Sequence, residues 1–247
     1  MNFFRILKFD FLNILRTPML VIINTIFPLI LWWGFGIITH SRFGGGNISS
    51  YDYYGVTTMI LGGILISMTV TNTFMEANVK RPNLRISYAP VSKTEIYLSK
   101  LLSTFIFAAI SYSLLTLIES YVFHCNFGGN RILYILLLFN VLIFFGCSIG
   151  TMVCCFAKSE EKANAIMPMV SLVLILFSGI FIPLGHFGKV MEAVSNMSPV
   201  KWVTLCAFQI IYDNNFSLYV PVIASLLILS IVCISVCQII FKPEDYL

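Results

Sequence analysis

The chain has 247 residues, of which 58% are hydrophobic and only 11% charged. A soluble domain carries roughly 25% charged residues, so this composition, with a mean hydropathy of +0.91, excludes an ordinary water-soluble fold. The net charge of +4 identifies no partner by itself, and the seven cysteines form no Cys-x-x-Cys pair and no metal-ligand spacing with histidine.

The first predicted element is an amphipathic helix over residues 2–16. At about 100° per residue, Phe and Leu side chains gather on one face, while Asp10 falls on the polar side with the basic residues Arg5, Lys8 and Arg16. We expect this elbow helix to lie in the cytoplasmic headgroup layer, where basic residues meet anionic lipid. Thr17-Pro18 then suits a sharp turn into the first span. The alternative is a plain extension of that span.

Six apolar segments each approach or exceed the roughly 20 residues that a helix needs to cross a bilayer. They cover about 19–39, 56–74, 98–122, 132–156, 163–182 and 219–241. Only helices and closed barrels satisfy the backbone in lipid, and long runs without alternation favour helices. The predicted fold class is therefore an all-α polytopic membrane protein with six transmembrane helices, forming a single domain over 1–247.

The distribution of basic residues predicts the orientation. Four of the 15 Lys and Arg residues lie on one side of the predicted spans: Arg42, Arg131, Lys189 and Lys201. The other eleven lie on the opposite side, which holds both termini. By the positive-inside rule, both termini are expected in the cytoplasm.

The longest predicted inner connection covers 76–95. Ser92-x-x-Glu95 is a capping box and predicts the start of a helix that runs into the third span. A short helix over Asn83–Tyr88 is predicted between Pro82 and Pro90. Such a basic helix below the membrane suits contact with a soluble partner, and a solvated loop is the alternative. The candidate contact residues are Glu76, Lys80, Arg81, Asn83, Leu84, Arg85, Ser87 and Tyr88.

The outer connection over 182–218 differs in kind. Proline and glycine residues end the fifth span, and apolar residues at i, i+3, i+4 and i+7 from Phe187 predict a short amphipathic helix. A second apolar segment over 200–212 is too short to span. We expect two short helices that dip into the outer leaflet and are buried against protein. A loosely bound surface loop is the alternative.

Polar residues within the predicted spans face protein or a cavity more often than lipid. The candidates for a transport path are Asn24, Thr25, Ser67, Thr71 and Asn72. The small-residue pairs Gly63-x-x-x-Ser67 and Gly146-x-x-x-Gly150 predict close packing between helices. Glu119 lies near the outer end of the third span, and we expect its carboxylate to reach the interface. A proton or cation site is the alternative for Glu119.

Chemical motifs are missing from the sequence. It contains no phosphate-binding Gly-x-x-x-x-Gly-Lys-[Ser/Thr], no His-Glu-x-x-His and no Gly-x-Ser-x-Gly. We therefore predict no catalytic residue, no metal site and no cofactor in this chain.

The order of these elements resembles the permease subunits of type-2 ABC exporters. The inner loop, with Glu76, then Leu84-Arg, then Ala89-Pro-Val-Ser-Lys, is similar to the family's pattern before the third span, although Arg85 and Ser87 replace an acid and a small or apolar residue. Ser178-Gly-Ile-Phe-Ile-Pro183 is similar to the outer signature SG-x-(F/Y)-x-P, and Met197-Ser-Pro-Val200 to the later (N/S)-P-(L/V).

The resemblance implies a half-transporter that pairs with a second permease copy and with two ATPase subunits, which bind ATP and magnesium. The inner loop would dock on the ATPase beside the elbow helix, and the first, second and fifth spans would line the path. The short outer helices would close the exit, with gate residues Ser178, Gly179, Phe181, Pro183, Phe187, Met191 and Pro199. The expected cargo is an amphipathic or hydrophobic peptide, antimicrobial or drug, exported across a bacterial plasma membrane.

Three other classes remain as alternatives. A gradient-driven secondary transporter would need midplane ionisable residues or an inverted repeat. A membrane-embedded lipid-modifying enzyme would need a cluster of His, Asp and Glu near one interface. A structural membrane protein is the third.

Overall fold

The computed structural model describes residues 2–42, 48–75, 92–180 and 188–241. No strand occurs in these ranges, and six of their helices are long and apolar enough to cross a membrane. The helices are α1 (Asn2–Arg16), α2 (Pro18–Thr39), α3 (Ser50–Met75), α4 (Lys93–Tyr121), α5 (Ile132–Ala157), α6 (Glu160–Ser178), α7 (Lys189–Asn196), α8 (Pro199–Phe208) and α9 (Tyr219–Ile240). The all-α prediction and the six predicted spans are confirmed.

Local capping sets where the helices begin. The predicted capping box forms at α4: the Ser92 hydroxyl accepts the Glu95 N–H at 3.3 Å, and the Glu95 carboxylate accepts the Ser92 N–H at 2.9 Å. Helix α3 begins at Ser50, earlier than the hydropathy predicts. Its start is stabilised because Asp52 accepts hydrogen bonds from both the N–H and the hydroxyl of Ser49.

Helix α1 covers the predicted residues, but one residue of its polar side was assigned wrongly. Arg5, Lys8 and Arg16 are exposed as expected. Asp10 is only 4% exposed, because the buried face of α1 runs through Asp10 and Ile14 and packs on α4. The placement of α1 in a headgroup layer stays a prediction.

Helix α3 forms the centre of the bundle. It contacts α2, α4, α5 and α6, whereas α2, α6 and α9 leave most of their apolar surface exposed. The two small-residue pairs meet each other: an added Cβ at Gly146 would collide with the Gly63 carbonyl, and one at Gly150 would lie 2.7 Å from the Ser67 carbonyl oxygen. The predicted close packing between spans is confirmed.

The bundle has two ends, which we name by their residues. The terminal end holds α1, the start of α4 and the end of α9. The far end holds the start of α3, the end of α4, residues 122–131, the end of α6 and the short helices α7 and α8.

The two short helices differ in burial. Helix α8 buries Val200, Val203, Cys206 and Ala207 against the bundle, as expected. Helix α7 does not, because Val190 and Met191 on its apolar face are 76% and 44% exposed and only Ser195 is fully buried. The prediction that both short helices are buried against protein is wrong for α7, whose contact with the bundle is made by a hydroxyl rather than by its apolar residues.

Candidate transport site

A crevice of about 200 Å³ lies between α2 and α3, with Tyr112 of α4 among its lining residues. Its walls are mainly apolar, and its polar groups include Asn24 and Asn72. Asn24 is 2% exposed, and its amide donates to the Leu20 carbonyl at 2.7 Å and to the Thr69 hydroxyl at 2.9 Å. Asn72 is half-buried and also lines this crevice.

The other predicted path residues do not line this crevice. Ser67 is buried and its hydroxyl lies 3.2 Å from that of Ser171 on α6. Thr71 is also buried, and its hydroxyl donates to the Ser67 carbonyl. Thr25 is half-buried and donates to the Val21 carbonyl. Most hydroxyl groups of α3 bond to carbonyls of their own helix, so burying them costs little free energy.

The end of α6 has its carbonyl groups satisfied by the residues that follow it. The last carbonyls of a helix lack intrahelical partners. Ser178 donates to the Ile175 carbonyl, and the N–H of Gly179, at a φ of +74°, reaches the Leu176 carbonyl at 3.4 Å. The predicted gate residues Ser178 and Gly179 thus form a helix cap.

Two serines around α7 complete that cap. The Ser195 hydroxyl donates to the Phe177 carbonyl at 3.0 Å, and the Ser198 hydroxyl donates to the Leu174 carbonyl at 3.3 Å. Pro199, another predicted gate residue, begins α8 directly after Ser198. These bonds attach the short helices to the fifth span. Of the remaining predicted gate residues, Met191 lies exposed on α7, and Phe181, Pro183 and Phe187 lie outside the described residues.

Two further contacts close the far end, and the sequence interpretation missed both. Tyr53 of α3 donates to the Ile180 carbonyl at 2.8 Å, and its ring stacks on Phe208 of α8 with centroids 5.4 Å apart. Arg131 donates to the Ile210 carbonyl at 2.7 Å, within the π-helical turn Gln209–Asp213. Tyrosine at the start of a span is a membrane-interface signal, but its partner is not readable from sequence.

At the terminal end, Asp10, Ser99 and Lys100 form a buried group that we call the Asp10 cluster. The Lys100 ammonium lies 3.2 Å from one Asp10 carboxylate oxygen, and the Ser99 hydroxyl donates to the other at 3.0 Å. The ammonium also lies 5.9 Å from the centroid of the Phe74 ring. The sequence signal that could have revealed this cluster was Lys100 itself, because a lysine inside a predicted span needs a partner for its charge.

The predicted partner-contact residues fall on a stretch that the structure does not describe. Glu76, Lys80, Arg81, Asn83, Leu84, Arg85, Ser87 and Tyr88 all lie within 76–91, outside the described residues. The flanking residues are described: Phe74 packs in a core cluster with Ile96 and Tyr97. The described residues on either side of this stretch therefore pack together beside the Asp10 cluster.

Glu119 departs from expectation. Its side chain is fully buried, and neither carboxyl oxygen has a hydrogen-bond partner within the described part of the chain. The expectation that it reaches the interface is wrong, because the loop after α4 folds back over it: the Cys125 N–H bonds to the Glu119 carbonyl at 3.0 Å.

Comparison with known proteins agrees with this architecture. Residues 1–212 match the ABC-2 type transporter family. The chain is also similar to the linearmycin resistance permease protein LnrN of Bacillus subtilis (strain 168), at 27% identity over 143 residues. That stretch covers 58% of this chain but only 37% of the relative's own length. The family match and the six apolar helices together show that the chain belongs to the ABC-2 type transporter family, as a multi-pass permease subunit of an ABC transporter.

Proposed function

We propose that this chain is the membrane half of an ATP-driven exporter of amphipathic or hydrophobic compounds. Two permease copies, or one copy and a paralogue, would associate with two ATPase subunits that bind ATP and magnesium. Both termini would lie in the cytoplasm of a bacterium, so the terminal end faces inward and the far end outward. The observation that carries the proposal is the family match over residues 1–212 on a bundle of six apolar helices.

The exposed surfaces of the bundle support pairing with a second permease. Helices α2 and α6 contact α3 from two sides and leave large apolar side chains exposed, among them Phe27 at 44% and Leu172 at 55%. Between them, α3 exposes Met68 at 37% and, in part, Asn72. A second copy facing this surface would enclose a path lined by the first, second and fifth spans.

The chemistry of this surface favours amphipathic cargo. The crevice beside α3 combines apolar walls with two amides and carries no charged side chain among its lining residues. Such a lining binds apolar molecules with a few polar groups better than it binds ions. The name of the Bacillus subtilis relative associates that protein with resistance to linearmycin, and we propose an antimicrobial compound as the cargo class here.

The coupling route would enter the bundle through residues 76–91 and continue into α4. Helix α4 is 29 residues long, begins at the Ser92–Glu95 capping box and ends at Tyr121 of the far end. The Asp10 cluster attaches α1 to its first two turns. A movement imposed on the inner loop would therefore be passed to α1 and α4 as one unit.

The test is co-purification followed by transport. The chain, expressed with its cognate ATPase subunit, is expected to stay associated in mild detergent, to show ATP turnover and, in vesicles, to export linearmycin or an amphipathic peptide. Isolation as a single chain without ATPase activity, in several detergents, would contradict the proposal.

Variants of the inner loop test the coupling assignment separately. Leu84→Asp or Arg85→Glu is expected to abolish export while leaving membrane insertion intact. Lys93→Glu is the matched control, because Lys93 is exposed at the start of α4, just beyond the loop. Normal export by both loop variants would refute the coupling role of 76–91 without touching the family assignment.

A further inference from the structure

Glu119 is a buried acid that neither the fold nor the proposed coupling route uses. It is 0% exposed, and neither carboxyl oxygen has a hydrogen-bond partner in the described ranges. A charged carboxylate without water, donor or counter-ion is strongly disfavoured in such a place. The carboxyl must therefore bind a species that removes its negative charge.

The Glu119 carboxyl packs closely against a glycine of α3, where a larger residue would crowd it. A Cβ added at Gly55 of α3 would lie 3.3 Å from Glu119 Oε2 and 3.2 Å from Cζ of Phe127. Glycine at this position lets the carboxyl and the ring lie against the backbone of α3. Phe127 itself belongs to the loop after α4 and is 1% exposed, so this loop covers the acid.

The nearby charged and titratable groups that the structure describes have other hydrogen-bond partners or are exposed. Asp52 of α3 accepts the Asn126 N–H at 2.7 Å, and Arg131, before α5, donates to the Ile210 carbonyl. The Cys125 thiol faces the Tyr51 carbonyl at 3.9 Å, and His124 is exposed. Across the described ranges, the ion pair found is that between Asp10 and Lys100, at the opposite end.

We propose that Glu119 is a proton-binding site whose occupancy holds the far end closed. The space beside Oε2 is bounded by the Gly55 backbone and the hydrocarbon ring of Phe127. Mg²⁺ and Ca²⁺ take about six or more oxygen ligands, which this lining does not offer, whereas a proton needs only the carboxyl. The ligand class is therefore the proton.

The proposal goes beyond the proposed function, since it concerns what closes the far end and not what energises transport. Opening of this end would admit water to Glu119 and allow it to ionise. A high pH would then favour the open form, because the charged carboxylate is stable only where water reaches it. A low pH would favour the closed form, in which the neutral carboxyl is packed between α3 and α4.

Cys125 provides a native reporter for this opening. It is 5% exposed, and its N–H is bonded to the Glu119 carbonyl. Burial raises the pKa of the Cys125 thiol to about 12, so the closed form should react slowly with a maleimide even in mildly alkaline buffer. Opening of the loop would expose the thiol and speed the reaction.

The experiment compares the full chain with Glu119→Gln, both in lipid nanodiscs, where either side is accessible. Maleimide labelling of Cys125 is followed by peptide mass spectrometry from about pH 6 to about pH 9, a range in which an exposed thiol titrates. The ratio compared is the rate for the full chain divided by the rate for Glu119→Gln. A charged Glu119 raises the pKa of the Cys125 thiol, which by itself would lower this ratio, so a rise in the ratio reports opening of the loop. We expect this ratio to lie near one at the acid end and to rise about tenfold or more at the alkaline end. Glu119→Asp, which keeps a carboxyl, should retain the rise.

Three outcomes would overturn the proposal. A ratio that does not change with pH would show that the carboxyl does not control the loop. A ratio that follows sodium or potassium concentration at constant pH would assign a metal ion in place of the proton. Failure of Glu119→Gln to fold would also contradict it, because an amide should replace a neutral carboxyl in the closed packing.

Discussion

Breaking the Asp10 cluster should destabilise the protein strongly, whereas replacing both charges should not. The Asp10 and Lys100 side chains are 4% and 2% exposed. The small stabilisation that surface ion pairs give, about 0–1 kcal/mol, therefore does not apply to them. Removing one partner of a buried pair costs about 3–5 kcal/mol, because the other charge stays buried and loses the attraction of that partner. We therefore expect Asp10→Leu and Lys100→Met each to lower the stability by this amount.

The double variant Asp10→Leu/Lys100→Met completes a double-mutant cycle with these two single variants. Apolar replacement of both partners is often neutral or stabilising, since both members of the buried pair are removed together. The double variant should therefore recover most of the lost stability, and the coupling between the two positions should be clearly non-additive.

The assay is thermal unfolding in detergent, followed by tryptophan fluorescence. The three tryptophans of the chain, Trp32, Trp33 and Trp202, lie away from the cluster and report on the bundle as a whole. The single variants should lower Tm by roughly 6–20 °C for a domain of this size. Lys8→Met is the control, because Lys8 is exposed on α1. Single variants no worse than this control, with additive effects in the double, would refute the buried-pair reasoning.

Three further changes test the packing of the bundle and of the far end. Gly150→Ala places a methyl group against the backbone of α3 and should cost about 1–3 kcal/mol, whereas Gly34→Ala, with nothing within 4 Å, should leave Tm unchanged or raised. Tyr53→Phe removes the bond to the Ile180 carbonyl and should cost about 1 kcal/mol, which unfolding in detergent would detect. Ser195→Ala should speed hydrogen exchange in α7 selectively, with exchange in α9 as the reference, and uniform exchange would contradict the cap.

The transmembrane helices could be predicted from the sequence because lipid leaves the backbone few choices. Each apolar segment became a helix over nearly the predicted residues, and the differences occur where a cap decides. Helix α3 begins at Ser50 because Ser49 and Asp52 cap it, and hydropathy does not register that pair. The small-residue pairs were equally readable, since glycines such as Gly146 and Gly150 allow one backbone to approach another.

The sequence did not show which charged side chains are buried. A hydropathy pattern assigns every charged side chain to water, and it placed Asp10 on the polar side of α1 and Glu119 at the interface. Both are buried, because a residue distant in sequence covers them: Lys100 pairs with Asp10, and Phe127 lies over Glu119. Tertiary partners at such separations follow from the fold and not from local periodicity.

The candidate site was predictable in composition but not in arrangement. Asn24 and Asn72 line one crevice as polar residues at membrane depth should, yet Ser67 and Thr71 of the same stretch point into helix contacts. A helix presents different sides within one turn, so spacing identifies the polar residues without showing which side meets a cavity. The gate signature likewise proved to contain a helix cap formed by Gly179.

Asp10 and Glu119, the two acids that are buried within the described ranges, lie at opposite ends of the bundle, and both are tied to α4. Asp10 joins α1 to its start through Lys100, and Glu119 lies near its end against Gly55 of α3. A displacement of α4 would therefore disturb two contacts, the Asp10–Lys100 salt bridge at the terminal end and the packing of the unpartnered Glu119 carboxyl at the far end. The first is costly to separate, so α1 should move with α4. The second is stable when packed only while neutral, so the contact between α3 and α4 at Glu119 is where the bundle should open first.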